Sequence, residues 1–292
     1  SDVCSSDLPA WFAANARDLP WRRTRDPYAI WVSEIMLQQT QVRTVIPYWE
    51  RWMHALPTIE SLARAKPGRI HKLWEGLGYY TRVRNMQKAA QQIVREHGSE
   101  FPQQHADILA LPGIGRYTAG AIASIAFNQP APILDGNVIR VLTRLHGIGG
   151  DPAEKKTNAR LWQLAEDLVR SAHEMELAPG KAAAGIKREI KIRIKSLTGL
   201  CSALNQSLME LGALVCTPRS PNCAGCPVAG LCFAREADRV EDFPRPKIRA
   251  DVTRRKFIAL IVERNGTVLV RQRPEGVVNA HLWEFPTLEI GD

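Results

Sequence analysis

Four of the six cysteines fall within seventeen residues, as Cys216, Cys223, Cys226 and Cys232. Thiolates spaced Cys-x6-Cys-x2-Cys-x5-Cys can enclose one metal centre, and on spacing alone a Cys4 zinc site and a [4Fe–4S] cube are equal alternatives. So tight a group is not the framework of a secreted disulfide protein. Two carboxylates suit acid–base work. Glu34 lies in "DPYAIWVSEIMLQQTQ", where its i±3 and i±4 neighbours are Ile30, Trp31, Leu37 and Gln38. On a helix that half-apolar stripe would desolvate the carboxyl, raise its pKa and keep it protonated. Asp135, in "PILDGNVIRVLTRLH", precedes an apolar-periodic run. It can cap that helix through the N–H of Asn137 or Val138, which would hold it ionised at the positive end of the dipole. A protonated acid near an ionised one is the pairing that breaks glycosidic bonds.

The elements that must position these groups are mostly helical. Apolar periodicity marks helices over 59–64, 68–75, 82–97, 106–111, 116–127, 137–146, 157–172 and 202–215, with Pro and Gly turns between them. A long helical pattern also opens at Asp26 as N-cap with Pro27 in the first helical position. "LPGIGRYTAG" (111–120) joins two helices through a hairpin. Its Gly113 and Gly115 permit positive φ and bare backbone, and the N–H groups opening the second helix suit a DNA phosphate. Residues 236–254 are charged and proline-bearing, as a linker is, and "KFIALIVERNGTVLVRQRP" then shows two strand-like runs around Asn265-Gly266. The segment 255–292 is expected to be the start of a second, truncated domain, too short for a core of its own.

Bulk properties decide less. The net charge of +9 suits a polyanionic partner, but residues 181–195 hold six Lys or Arg against one Glu and so account for +5 of it. That basic segment contains "IKIRIK" (190–195), whose period-two alternation reads either as a solvated insertion or as a strand that contacts phosphates. The longest apolar run, "FIALIV", is far below the roughly 18 residues of a membrane span. With no signal-peptide pattern at the first residues, a cytoplasmic protein is expected.

Together, the hairpin, the aspartate twenty residues beyond Gly115 and the cysteine loop resemble the helix-hairpin-helix DNA glycosylase superfamily. The cysteine spacing is similar to the iron–sulfur loop of its endonuclease III and MutY branches, which implies a [4Fe–4S] cluster rather than zinc. Three places separate those branches. Endonuclease III enzymes carry a nucleophilic lysine two residues after the last hairpin glycine, where this chain has Tyr117, and a phenol forms no imine. "LDGN" (134–137) and "PWRRTRDPYAIWVSEIMLQQTQV" (20–42) resemble the MutY versions.

The resemblance, over about residues 9–235, implies adenine excision opposite 8-oxoguanine or guanine in double-stranded DNA, without strand cleavage, by a monomer. It implies Glu34 as general acid, Asp135 as the carboxylate facing the sugar cation and bonding to it transiently, and Tyr117 as a positioning residue. Gln39 and Tyr79 would fill the gap left by the extruded base, and Trp21, Arg22 and Gln206 would line the adenine pocket. The implied fold is mostly α and two-lobed: a six-helix barrel (20–125) carrying the helix-hairpin-helix, and a cluster lobe (1–19 plus 126–235) with an insertion at about 175–200. After the 236–254 linker, "RQRPEGVVNAHLWEFP" resembles the beginning of a Nudix-like α+β domain. A bifunctional lyase and a non-catalytic iron–sulfur DNA-binding module are the rival readings; the second has no use for Glu34.

Overall fold

The computed structural model describes residues 2–177, 199–245, 255–277, 280 and 282–290. The basic segment 181–195 and its expected strand lie outside the described residues. The helical body runs α1 (Asp2–Asn15), a 3-10 turn (Pro20–Arg22), α2 (Pro27–Leu37), α3 (Val42–Ala55), α4 (Ile59–Arg64), α5 (Pro67–Trp74), α6 (Thr81–Glu96), α7 (His105–Leu109), α8 (Arg116–Phe127), α9 (Gly136–His146), α10 (Lys155–Leu177), α11 (Leu200–Leu214) and α12 (Phe233–Glu236). No described helix is long and apolar enough to cross a membrane.

Asp26 caps α2 by accepting the Tyr28 N–H at 3.0 Å. The single long helical pattern that opens there breaks into two helices. The chain leaves α2 at Gln38, passes through Gln39 at φ +59°, and restarts at Val42. A guanidinium explains the break: Arg82 of α6 donates to the carbonyls of Ile35 (2.9 Å) and Gln38 (2.6 Å), supplying partners that a continued helix would have provided.

Two apolar cores meet along α2 and α8. Trp31, Val32 and Ile35 of α2 join Trp52, Trp74 and Ile122 in one core, while Ile30, Ala121 and Ile125 join Val138, Leu142, Val169 and Leu208 in the other. A helix serving two cores is apolar nearly all round, and every residue of α2 from Tyr28 to Met36 is buried, Glu34 included. Gly120 lets α8 lie against the chain entering α9: an added Cβ would sit 2.1 Å from the Pro132 carbonyl oxygen. Gly120→Ala should therefore cost about 1–3 kcal/mol by overpacking, read as an earlier midpoint in chemical denaturation.

Beyond Asp242 the described chain forms six short strands: β1 (Lys256–Ala259), β2 (Glu263–Arg264), β3 (Thr267–Val268), β4 (Arg271–Gln272), β5 (Trp283–Glu284) and β6 (Thr287–Ile290). They pair antiparallel as β1–β6, β2–β3 and β4–β5. The β2–β3 turn has Asn265 and Gly266 both at positive φ (52° and 74°), the twist a two-residue hairpin requires. Phe257, Ile261 and Leu288 are exposed, so these strands cover no core of their own among the described residues. The Arg84 guanidinium, on α6, donates to the Ala280 carbonyl at 2.9 Å.

Candidate active site

The seam between the cores opens into a cleft of about 600 Å³, lined by Trp21, Arg22, Glu34, Gln39, Tyr117, Asp135 and Gln206 among others. Positions separated by as many as 185 residues thus share one wall. Glu34 projects from α2 at 6% exposure, and its carboxylate accepts the Tyr117 hydroxyl at 2.8 Å. That hydroxyl also lies 3.3 Å from the Met209 sulfur of α11. Burial pushes the Glu34 carboxyl up from its ordinary 4.5 to about 7, the Tyr117 hydrogen bond and the Arg22 cation pull it partly back, and the Asp135 charge adds to the rise. Tyr117 is itself held well above the usual phenol value, by burial first and then by the charges of Glu34 and Asp135, and stays a proton donor.

Asp135 caps α9 as its place in the chain predicts, accepting the Val138 N–H at 2.8 Å and the Asn137 side-chain N–H at 3.1 Å. Its titration corrects the expectation of a cap that lowers the pKa: burial outweighs those donors and lifts the carboxyl above its ordinary value. The two carboxyls still differ in kind. Asp135 has two N–H donors that favour its charged form, whereas Glu34 has one hydroxyl and a more apolar setting. The donor sets thus favour the charged form more at Asp135 than at Glu34.

Gly113, Gly115 and Tyr79 lie outside this cleft. Gly113 lines a smaller cavity of about 230 Å³ with Asn85 and Arg82. It sits at φ +78°, and a Cβ there would meet Asn85 Cβ at 2.6 Å, so glycine is required twice over. Gly115 does not use the freedom that glycine permits: it is extended (φ −95°) as the N-cap of α8, with open space where a Cβ would lie. Tyr79 is 63% exposed at φ +48°.

Three features, one beside the cleft and two lining it, were not singled out from the sequence. Arg82 donates to the carbonyls of Leu77 and Gly78 as well as those of Ile35 and Gln38, so one guanidinium ties the corner bearing Gln39 to the loop bearing Tyr79. The "GYYTRVRN" cluster of aromatics and arginines signalled it. Met209 touches Tyr117 as described. Glu210, 0% exposed, receives both Arg17 and Arg22. Its i+4 spacing from Gln206 on α11 could have revealed it.

The four cysteines line one separate cavity with Arg144. Cys216 and Cys226 thiols are raised by burial, Cys226 to about 11, with the other three sulfurs pushing it further up. Four sulfurs gathered in one cavity are a donor set suited to a cationic centre, which would favour their ionised form. A single tetrahedral zinc at about 2.3 Å from each sulfur would bring the sulfurs within about 4 Å of one another. Among the described residues, the group whose ligand atoms come within 4.8 Å is instead His173, Glu176 and Cys201. Four cysteines lining one cavity are the donor set of a cube of iron and sulfide, to which each thiolate would bind through one corner iron.

Comparison with known proteins bears on the fold and on the cysteine loop. Residues 32–167 match the model described as HhH-GPD superfamily base excision DNA repair protein, and residues 216–232 match the iron-sulfur binding domain of endonuclease III. The chain therefore carries a [4Fe–4S] loop at its four cysteines. A solved thermostable thymine-DNA glycosylase superposes with a TM-score of 0.62 at 28% identity, covering 79% of this chain and 94% of that one. An endonuclease III–DNA covalent intermediate shares the fold, at 20% identity and a TM-score of 0.56 over 80% and 95% of the two chains. Adenine DNA glycosylase of Mus musculus is 37% identical over 98% of this chain, which spans 60% of the mouse protein's length. That of Homo sapiens is 37% identical over 96% of this chain and 56% of its own length. In Buchnera aphidicola from Schizaphis graminum, the adenine DNA glycosylase is 35% identical, with 98% of this chain and 75% of its own length covered. The mostly helical chain belongs to the adenine DNA glycosylase family of the HhH-GPD superfamily.

Proposed function

We propose that the protein removes adenine mispaired with 8-oxoguanine or guanine from double-stranded DNA by hydrolysing the N-glycosidic bond, and leaves the strand uncut. The observation that carries this reading is Glu34: a buried carboxyl held at about 7 beneath the Tyr117 hydroxyl, facing the same cleft as Asp135. Extruding the adenosine costs a few kcal/mol of unstacking and brings the base to this cleft. Adenine leaves badly as an anion and better once N7 has a proton, which protonated Glu34 supplies. Positive charge then develops on the deoxyribose, and Asp135, ionised, faces it. Water completes the hydrolysis. Tyr117 donates to Glu34 and orients its carboxyl. Because the position that is lysine in the lyase branch is a phenol, no Schiff base forms and no β-elimination follows.

Around this chemistry, Trp21, Arg22 and Gln206 are assigned to the adenine pocket, Gln39 and Tyr79 to the gap in the duplex, and Gly113 and Gly115 to a phosphate. The barrel lobe is taken as 20–125 and the cluster lobe as 1–19 with 126–235. We further infer that strands β1–β6 belong to a Nudix-like domain that reads 8-oxoguanine, that the enzyme acts as a monomer, and that it works in the cytoplasm, where a reducing medium suits its five described cysteines, none of them in a disulfide.

An adenine:8-oxoguanine duplex tests the reading. Cluster-loaded protein should release free adenine and leave a strand that breaks only after alkali. Asp135→Asn should slow release about 10²-fold while duplex binding persists. Strand breaks without alkali would favour a lyase, and no adenine release would overturn the glycosylase reading.

A further inference from the structure

Glu176, near the end of α10, and Cys201, in the first turn of α11, stand in sequence on either side of the basic residues 181–195. With His173 they form a group whose ligand atoms all lie within 4.8 Å of one another: an imidazole nitrogen, a carboxylate oxygen and a thiol sulfur. None of the three lines the catalytic cleft or the cavity of the four cluster cysteines. His173 and Glu176 stand on α10 at the i, i+3 spacing that puts two side chains on one face. Cys201 joins them from the buried start of α11, at 0% exposure.

The hydrogen bonds around this group leave ligand atoms to spare. Glu176 spends one oxygen only: Oε2 accepts the Asn128 side-chain N–H at 2.8 Å and the Leu200 N–H at 3.3 Å. Asn128 is itself fixed, because it ends α8 at φ +54° and its Oδ1 accepts the Ser202 N–H at 3.1 Å. Gly199, at φ +91°, lets the backbone pass close to that amide, and an added Cβ would lie 2.2 Å from Asn128 Nδ2. His173 forms no hydrogen bond among the described residues, and the Cys201 thiol has only the Val169 carbonyl, at 3.8 Å. A carboxylate that only capped α11 would need neither neighbour.

We propose that His173, Glu176 and Cys201 form a zinc site that clamps the end of α10 to the start of α11. The donor set selects the metal: a thiolate and an imidazole suit borderline-soft zinc, whereas magnesium and calcium take oxygen ligands. Tetrahedral zinc would draw the ligand atoms to roughly 3.5 Å from one another, a closure of about 1 Å. His173 and Glu176, neither of them buried, can make that movement. Oε1 of Glu176 is the oxygen left for the metal, and the bonds to Oε2 orient it as the outer partners of a metal ligand do. Binding releases one proton, from the Cys201 thiol, and water takes the fourth position. The ion closes the chain between Glu176 and Cys201 into a loop.

The zinc ion itself is the probe. Cluster-loaded protein is equilibrated with zinc and desalted, zinc and iron are counted per chain, and X-ray absorption at the zinc edge gives the neighbours. Wild type should retain about one zinc per chain with its iron unchanged, bound by a single sulfur and otherwise by nitrogen and oxygen. Zinc should also raise the denaturation midpoint. His173→Gln removes a ligand whose side chain bonds to nothing else described, so the fold should hold while zinc affinity falls at least about tenfold and the midpoint stops responding to zinc. Cys201→Ser should do the same; if that buried change unfolds the chain, His173→Gln decides. Zinc surrounded by four sulfurs has entered the cluster loop and overturns the site. A wild type that retains no zinc overturns it too, as does a His173→Gln variant that binds zinc as tightly as wild type. Adenine release does not enter, so the outcome is independent of the glycosylase reading.

Discussion

Glu34→Gln should reduce adenine release at least about 10³-fold while leaving duplex affinity near that of the wild type. The side chain is almost isosteric and stays within reach of the Tyr117 hydroxyl, so little else in the cleft should move. What is lost is the proton. General acid catalysis contributes about 10²–10⁴-fold, and adenine depends on it more than most leaving groups because its anion is poor. The wild-type rate should therefore fall as pH rises through about 7, where Glu34 ionises. At the acid end, protonation of Asp135 removes the carboxylate that faces the sugar, giving a second limb. A single-turnover profile of wild type and variant checks both: a wild-type rate flat from pH 6 to pH 9 would remove Glu34 from its role.

The same burial makes a stability prediction of opposite sign. The folded-state pKa of Glu34, about 7, lies above its ordinary 4.5, so the folded chain binds the extra proton between these values. Stability is then highest below about 4.5 and declines as pH rises through about 7, by a total on the order of 3 kcal/mol. Glu34→Gln carries no such penalty. Its Tm should match the wild type near pH 5 and exceed it at pH 8, so the protein gives up stability at neutral pH to hold a protonated acid. Parallel Tm curves for the two proteins would contradict a buried, raised carboxyl.

How much of this was legible in the chain depended on sequence distance. The Asp26 and Asp135 caps were readable because cap, first turn and apolar face lie within a few residues. The cysteine loop was readable because its ligands share seventeen residues. Glu34 was placed on an apolar stripe from i±3 and i±4 neighbours, but that understated its burial. Only the second core, built mostly from residues beyond 120, closes the other side of α2. The break at Gln38–Gln41 was invisible for the same reason, since the guanidinium that stabilises it comes from Arg82, more than forty residues on. Arg17 and Glu210 lie 193 residues apart, and no local pattern pairs them. Periodicity reports what a helix buries, not which distant charge it meets.

Arg144 of α9 carries that lesson to the cluster. It is 2% exposed and forms no ion pair with a carboxylate among the described residues. Instead its Nε donates to the carbonyls of Val240 (3.0 Å) and Phe243 (2.9 Å), its Nη1 to the Thr217 carbonyl (2.7 Å) and Cys216 sulfur (3.4 Å), and its Nη2 to Pro218 (3.3 Å). The Cys232 thiol lies 3.6 Å from the Arg144 carbonyl. One side chain thus fastens the start of the cysteine loop, at 216–218, to the stretch that follows its end, at 240–243. A buried cation without a carboxylate is costly, and here one of its donors reaches the Cys216 sulfur, whose ionised form it favours. Arg144→Met fills similar space but strands the carbonyls and withdraws the cation that favours the Cys216 thiolate. The expected cost is about 3–5 kcal/mol, with iron content and visible cluster absorbance falling well below one cluster per chain and new protease cleavage between 216 and 243. Arg144→Lys keeps the charge without the planar fork, and should retain more iron than Met yet less than wild type. Full iron occupancy in Arg144→Met would show that the cysteines hold the cluster unaided.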